Sequence, residues 1–181
     1  MRTRCLTVPL LTGMFLAGPL WAQADETPAT PPRPCTQSDA YDAFDFWLGR
    51  WEVFVGDGRK AGDNEITKID GDCLLQEKWL SVAGGAGTSL NFYDPGADEW
   101  VQHWVGAGGT FITIRGGLRD GSMVLEGQIT YASNGVTNAF RGTWTPLEDG
   151  SVRQYFQEST DDGVTWQDWF EGFYRRPTEG Q

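Results

Sequence analysis

The side chains of this chain that could do chemistry are few: two carboxylates set among apolar residues, a single histidine, a cysteine pair and an unusual stock of tryptophan. In the stretch LLQEKWL, residues 74–80, Glu77 alternates with Leu75 and Trp79. Alternate residues of a strand share a face, so all three face the same way if the stretch is extended. A solvated outer face is the ordinary place for a glutamate. On an inner face Glu77 needs a hydrogen-bond partner and its pKa rises, which is the condition for a general base near neutral pH. Glu126, between Val124 and Gln128, presents the same two choices.

His103 is the only histidine. A Ser-His-Asp relay would have to use it, and nothing in its position supports one. Flanked by Val101 and Trp104, it reads as a hydrogen-bonded wall residue. The sequence has no His-Glu-x-x-His, Cys-x-x-Cys or Gly-x-Ser-x-Gly motif. Its glycine runs lie between strand-like segments and do not open helices, so they are not phosphate cradles. No cofactor, metal or catalytic residue is expected. The stretch STDDGVTW, residues 159–166, fits the Asp-box pattern of sialidase propellers, but one copy in so short a chain cannot make a propeller. It reads as a hairpin turn in which Asp161 accepts backbone N–H groups, Gly163 takes a positive φ and Trp166 covers the bend.

Nine Trp, ten Phe and five Tyr are more than a structural plug requires. Trp100 and Trp104 alternate against His103, and Trp166 and Phe170 against Trp169, so one set must line or fill an interior. Mid-strand polar and aromatic residues are the candidates for a pocket: Glu77, Trp79, Asn91, Gln102 and Trp104.

The elements that must position these residues are marked by turns. Asp57-Gly58, Asp70-Gly71, Gly84 to Gly87, Asp94-Pro95-Gly96 and Gly106 to Gly109 come first. Asp120-Gly121, Asn134-Gly135, Asp149-Gly150 and Asp162-Gly163 follow. Asn-Gly and Asp-Gly supply the positive φ of tight hairpins. The segments between them, such as SLNFYD, EWVQHWV and SMVLEGQITY, are rich in β-branched and aromatic residues. The pattern predicts an all-β fold: an antiparallel up-and-down barrel of about ten strands, closed so that no edge is left exposed. Before the first strand, Ser38 or Asp39 can cap a short helix ending at Gly49. Its apolar face would carry Tyr41, Phe44, Trp47 and Leu48.

Residues 1–24 read as a signal peptide, with basic Arg2 and Arg4, an apolar run broken by Pro9, Gly13 and Pro19, and Ala22-Gln23-Ala24 as the cleavage site. Residues 25–37 are rich in Pro and Thr and are expected to form a flexible leader, and 38–177 to form the barrel. Cleavage after Ala24 leaves 157 residues with twelve basic and 25 acidic side chains, a net charge of −13. That balance disfavours nucleic acid and anionic membrane surfaces, and no stable membrane insertion is expected. A periplasmic or secreted location follows. There the two remaining cysteines, Cys35 and Cys73, suggest one disulfide, with two separate buried thiols as the alternative.

Gly49-Arg50-Trp51 resembles the G-x-W triplet that opens the first strand of lipocalins and other calycins, where a short helix precedes the triplet and closes one end of the barrel. The resemblance implies that Trp51 is part of a structural plug and stacks on an arginine near the end of the last strand. Arg175 and Arg176 stand there, and Arg175 is the expected partner. FDFWLGRWEV, GDCLLQEKW, SLNFYDPGADEWVQHWV, GGLRDGSMVLEG and STDDGVTWQDWFEGFYRR together resemble a family of secreted bacterial proteins with a calycin-like barrel and no established catalytic residues. That family carries Trp-His-Gln after its Asp-Pro turn, whereas here Trp100-Val101-Gln102-His103 shifts the histidine. Its cysteine pattern implies the Cys35–Cys73 disulfide. Nitrobindin-type barrels, also similar, hold haem through a histidine near the C-terminus, which this last strand lacks. The leading expectation is non-catalytic binding of a small apolar or aromatic molecule in the barrel. The alternatives are an isomerase or hydrolase using a buried carboxylate, and an envelope interaction protein with a filled barrel. Nothing in the sequence sets an oligomeric state.

Overall fold

The computed structural model of the protein describes residues 33–178. Ten strands follow in chain order: β1 Gly49–Phe54, β2 Lys60–Ile69, β3 Leu74–Ser81, β4 Ala86–Asp94, β5 Glu99–Gly106, β6 Thr110–Arg119, β7 Ser122–Tyr131, β8 Thr137–Pro146, β9 Val152–Ser159 and β10 Gln167–Arg175. Each pairs antiparallel with the next. β1 also pairs antiparallel with β10 through Glu52↔Arg175, Val53↔Tyr174 and Phe54↔Phe173, which closes the barrel. An even strand number is what lets the first and last strands meet antiparallel, and closure leaves no edge to template aggregation. The turn dipeptides fall between strands as expected. Gly58 and Gly135 show why: their φ angles of +83° and +71° are ones that other residues adopt only at a cost.

The segment before β1 is helical but not an α-helix. Asp39–Asp42 and Asp45–Trp47 are 3₁₀ turns, and the Ser38 hydroxyl caps the first by accepting the Ala40 N–H. The reason lies in the spacing. Tyr41, Phe44 and Trp47 recur every three residues, and three residues per turn stacks such positions over one another. Phe44 and Trp47 are fully buried with their rings stacked at 5.0 Å. They close one end of the barrel against Trp100, Trp144 and Tyr174. Trp51 is 1% exposed, and its indole N–H donates to the Trp47 carbonyl at 2.8 Å.

The arginine stacked on Trp51 is Arg176, with its guanidinium 3.5 Å from the ring centroid. This corrects the expectation for Arg175, which lies over Phe54 at 5.2 Å. Register decides it. Glu52 faces Arg175 across β1 and β10, so the position opposite Trp51 is one residue later, on the inward side with Tyr174.

The leader expectation also needs correction. Pro34–Thr36 form a 3₁₀ turn, with Cys35 buried and bonded to Cys73 in the β2–β3 loop. Arg33 adds an ion pair to Asp72 in the same loop. Residues 33–37 are therefore folded onto the barrel. The proposed signal peptide and residues 25–32 of the leader lie outside the described residues. No helix among the described residues is long and apolar enough to cross a membrane.

Candidate functional site

Strand alternation aims Leu75, Glu77 and Trp79 of β3 into the barrel, and likewise Trp100, Gln102 and Trp104 of β5. The first residue of each trio packs at the plugged end. The last points toward the other end, where a cavity of about 280 Å³ lies inside the barrel. Trp79, Trp104, Phe156, Trp169 and Phe170 form its aromatic walls, with Ile112 among them. Glu77, Gln102, Gln154 and Tyr174 form a polar floor.

Two glycines make room for the tryptophan walls. A Cβ on Gly87 would lie 2.1 Å from the Trp104 ring, and one on Gly62 would lie 2.6 Å from Trp79. Each indole therefore occupies space that a side chain on the neighbouring strand would otherwise fill. Phe156 leans over Gly142 in the same way. At the rim, a register shift in β10 between Asp168 and Phe170 inserts Trp169 as an extra residue. Alternation places Trp169 opposite Phe170, but this bulge lets both line the cavity. The Trp169 indole N–H donates to the Tyr131 hydroxyl at 3.1 Å, which holds the half-exposed ring in place.

The floor is one connected network. Glu77 is 3% exposed and faces inward, against the ordinary expectation of an outer face; Glu126 does lie outside. Asn64 Nδ2 donates to Glu77 Oε1 at 2.7 Å, and Ser89 Oγ donates to Glu77 Oε2 at 2.6 Å. Behind Ser89, Asn91 Nδ2 donates to the serine oxygen at 2.8 Å, and Gln102 Nε2 donates to Asn91 Oδ1 at 2.7 Å. On the other side, Asn64 Nδ2 also reaches Tyr174 Oη at 3.2 Å, and Tyr174 donates to Gln154 Oε1 at 2.5 Å. Most of these buried polar atoms are satisfied within the network; Asn64 Oδ1 is the floor atom left without a partner among the described residues.

No Lys or Arg lines the cavity, and no cation among the described residues pairs with Glu77. Burial dominates and pushes its carboxyl up from 4.5 to about 7, against the Ser89 and Asn64 hydrogen bonds that favour the charge. Burial, helped by the nearby Glu77 charge, also pushes the Tyr174 hydroxyl well above its ordinary value.

Four of the five sequence candidates, Glu77, Trp79, Gln102 and Trp104, line the cavity. Asn91 is fully buried one layer behind, where it fixes the Gln102 amide. Sequence reasoning missed Gln154, Phe156 and Tyr174, and it placed only one of Phe170 and Trp169 in the interior, where both line the cavity. Two of the missed residues had a signal: Val152, Gln154 and Phe156 repeat the apolar–polar–aromatic alternation of β3 and β5. The bulge at Trp169 left none. His103 points outward and is exposed, with Nδ1 3.1 Å from Thr113 Oγ1, so it cannot reach the lumen.

The 159–166 turn has the geometry expected of it. Asp161 accepts the Thr165 N–H at 2.8 Å, Gly163 has φ +87°, and the Trp166 indole donates to the Gly163 carbonyl at 3.1 Å. The Thr165 hydroxyl, which donates to Asp161 Oδ2 at 2.6 Å, together with the Thr165 N–H and the Ser159 hydroxyl, lowers the pKa of the Asp161 carboxyl to about 2. No protein-family model matches the chain, and no curated protein matches it.

Proposed function

We propose that the protein is a secreted or periplasmic binding protein that holds one small, largely apolar or aromatic molecule in the open end of its barrel. The observation that carries this reading is the cavity itself: about 280 Å³ of space, walled by aromatic rings and floored by a few fixed polar groups. Ligand sites have that composition, whereas a packed interior leaves no void of this size. The volume is just below the roughly 300 Å³ where ligand pockets usually begin, which suits a small ligand. The location rests on the Cys35–Cys73 disulfide, which persists in oxidising compartments, and on the signal-like N-terminus. The calycin-like resemblance agrees with both.

Native mass spectrometry of the mature protein, purified gently from its own host, tests the reading. The expected result is a discrete added mass that leaves on denaturation. A wild-type protein that carries no added mass, and takes up none from a host small-molecule extract, overturns it. A second reading, general-base chemistry, is favoured by a Glu77 carboxyl that titrates near neutrality inside the cavity. It predicts that a recovered ligand exchanges a carbon-bound proton for deuterium in heavy water, and that Glu77→Gln stops the exchange.

A further inference from the structure

We infer that the ligand class is an organic cation: an ammonium group joined to an apolar or aromatic body, with the ammonium seated against Glu77 and the body between the tryptophan walls. This rests on the cavity being a binding site and says what the site selects.

The first ground is charge. Glu77 is the only charged residue lining the cavity, and no Lys or Arg answers it among the described residues. A buried carboxylate left unpaired is costly, and a bound cation is the partner that removes the cost. The second ground is spare acceptor capacity. Each Glu77 oxygen accepts one hydrogen bond, from Asn64 and from Ser89, so each has a lone pair to offer. The relay of donors behind Ser89 runs in one direction, Gln102 to Asn91 to Ser89 to Glu77. Gln102 uses one amide N–H on Asn91, and its carbonyl oxygen accepts no hydrogen bond within the described residues, so it is a further acceptor at the cavity. An ammonium brings three donors and no acceptor, which complements the Glu77 oxygens and the Gln102 carbonyl; the Gln154 amide, whose carbonyl accepts Tyr174, is the donor group on the other side of the floor. The third ground is the wall. The indole rings of Trp79 and Trp104, seated beside Gly62 and Gly87, line the cavity, and the π-system of an indole attracts cations. The acidic chain as a whole raises the local concentration of cations rather than anions.

The groups packed around Glu77 are Asn64 from β2, Ser89 from β4, Gln154 from β9 and Tyr174 from β10. Only Tyr174 can titrate, and its proton is held far above neutrality. Cation binding is therefore linked to Glu77 alone. Below about pH 7 the carboxyl must first release a proton, so affinity for an ammonium falls.

Isothermal titration calorimetry with 4-phenylbutylamine and its neutral isostere 4-phenylbutan-1-ol, on wild type and Glu77→Gln at pH 8, tests the inference. The expected result is that wild type binds the amine at least about tenfold more tightly than the alcohol. Glu77→Gln should lose that preference, its affinity for the amine falling to that for the alcohol, and the wild-type amine affinity should drop about tenfold from pH 8 to pH 6. Equal affinity for amine and alcohol in wild type overturns the cation class and leaves the cavity reading standing. A preference that survives in Glu77→Gln overturns the role of Glu77. Binding of neither probe counts against both the cation class and the cavity. Urea denaturation of the variant at pH 8 separates lost charge from lost fold.

Discussion

Replacing Glu77 by Gln should change how stability depends on pH, and the sign follows from the burial of its carboxyl. In the folded protein Glu77 keeps its proton up to about pH 7, while in the unfolded chain it is released near 4.5. Between those values the folded state binds more protons than the unfolded state, so stability falls as pH rises. Below 4.5 both states are protonated and nothing is lost; above 7 the loss is complete. Integrated from pH 5 to pH 8, the linkage amounts to about 2–3 kcal/mol. Gln keeps the shape and never ionises. Its carbonyl can accept the Asn64 amide, and its N–H₂ can donate to Ser89 Oγ. Relative to wild type, the variant should therefore gain about 2–3 kcal/mol over that interval. Groups common to both proteins cancel in the comparison. With a urea slope of about 2 kcal/mol per molar, the difference in midpoints should move by about 1 M. The assay is urea unfolding followed by far-UV circular dichroism at pH 5, 6, 7 and 8, with the slope constant across the series. Parallel midpoint curves would mean that Glu77 is not desolvated in the folded protein. A wild type that gains on the variant with rising pH would mean that the fold favours the carboxylate, and the account of the floor would be wrong.

Three further outcomes follow from the packing. Arg176→Ala removes the guanidinium stacked on Trp51 and should cost about 0.5–1 kcal/mol by thermal or urea unfolding, whereas Arg175→Ala should cost less than half of that. Replacing both Cys35 and Cys73 by Ser opens a link across 38 positions of the chain and should lower stability by about 4 kcal/mol on the chain-entropy account, read from urea midpoints under non-reducing conditions. Gly87→Val drives a side chain into the space of the Trp104 ring and forces the indole into the lumen. It should abolish ligand uptake in native mass spectra and lower the unfolding temperature, and retained uptake would show that Trp104 does not set the width of the cavity.

The barrel was legible because its information is local. Each Asp-Gly or Asn-Gly turn imposes its geometry within four residues, and strand alternation sets which side chains face inward once a strand is placed. Thus Trp79, Gln102 and Trp104 could be picked out by position alone. What stayed hidden depends on contacts between distant strands. Arg175 and Arg176 are equivalent in sequence, and only the β1–β10 register gives Trp51 to Arg176. Glu77 alternates with apolar residues on either face of a strand. Its inward aim becomes affordable only because Asn64 lies 13 positions before it and Ser89 12 after it, on the two strands that flank β3. The bulge at Trp169 breaks the alternation that sequence reasoning relies on. The three-residue spacing of Tyr41, Phe44 and Trp47 was visible, but it favours 3₁₀ geometry over the α-helix that the capping signals suggested.

Taken strand by strand, the interior shows how one sequence makes a barrel that is closed at one end and open at the other. The odd-numbered strands run away from the plug. Along three of them the inward residues step from apolar to polar to aromatic: Leu75-Glu77-Trp79, Trp100-Gln102-Trp104 and Val152-Gln154-Phe156. Even-numbered neighbours run back: Gly62-Asn64-Ile66 on β2 also has its polar residue in the middle, whereas Phe170-Gly172-Tyr174 on β10 has glycine there and joins the floor through the Tyr174 hydroxyl. The apolar ends meet Phe44 and Trp47 and seal the plug, the middle residues join into the hydrogen-bonded floor, and the aromatic ends wall the cavity. β7 departs from the pattern, with Met123, Leu125 and Ile129 apolar throughout. The polar floor is therefore an arc over β2–β5 and β9–β10, not a ring. On the proposed binding reading, a ligand with one polar end and one apolar body would orient its polar end toward Glu77 and its body toward Ile112 and the far wall. A ring of polar groups would accept the ligand in any rotation about the barrel axis; an arc does not, and that asymmetry is what would let a cavity this small choose among molecules of similar size.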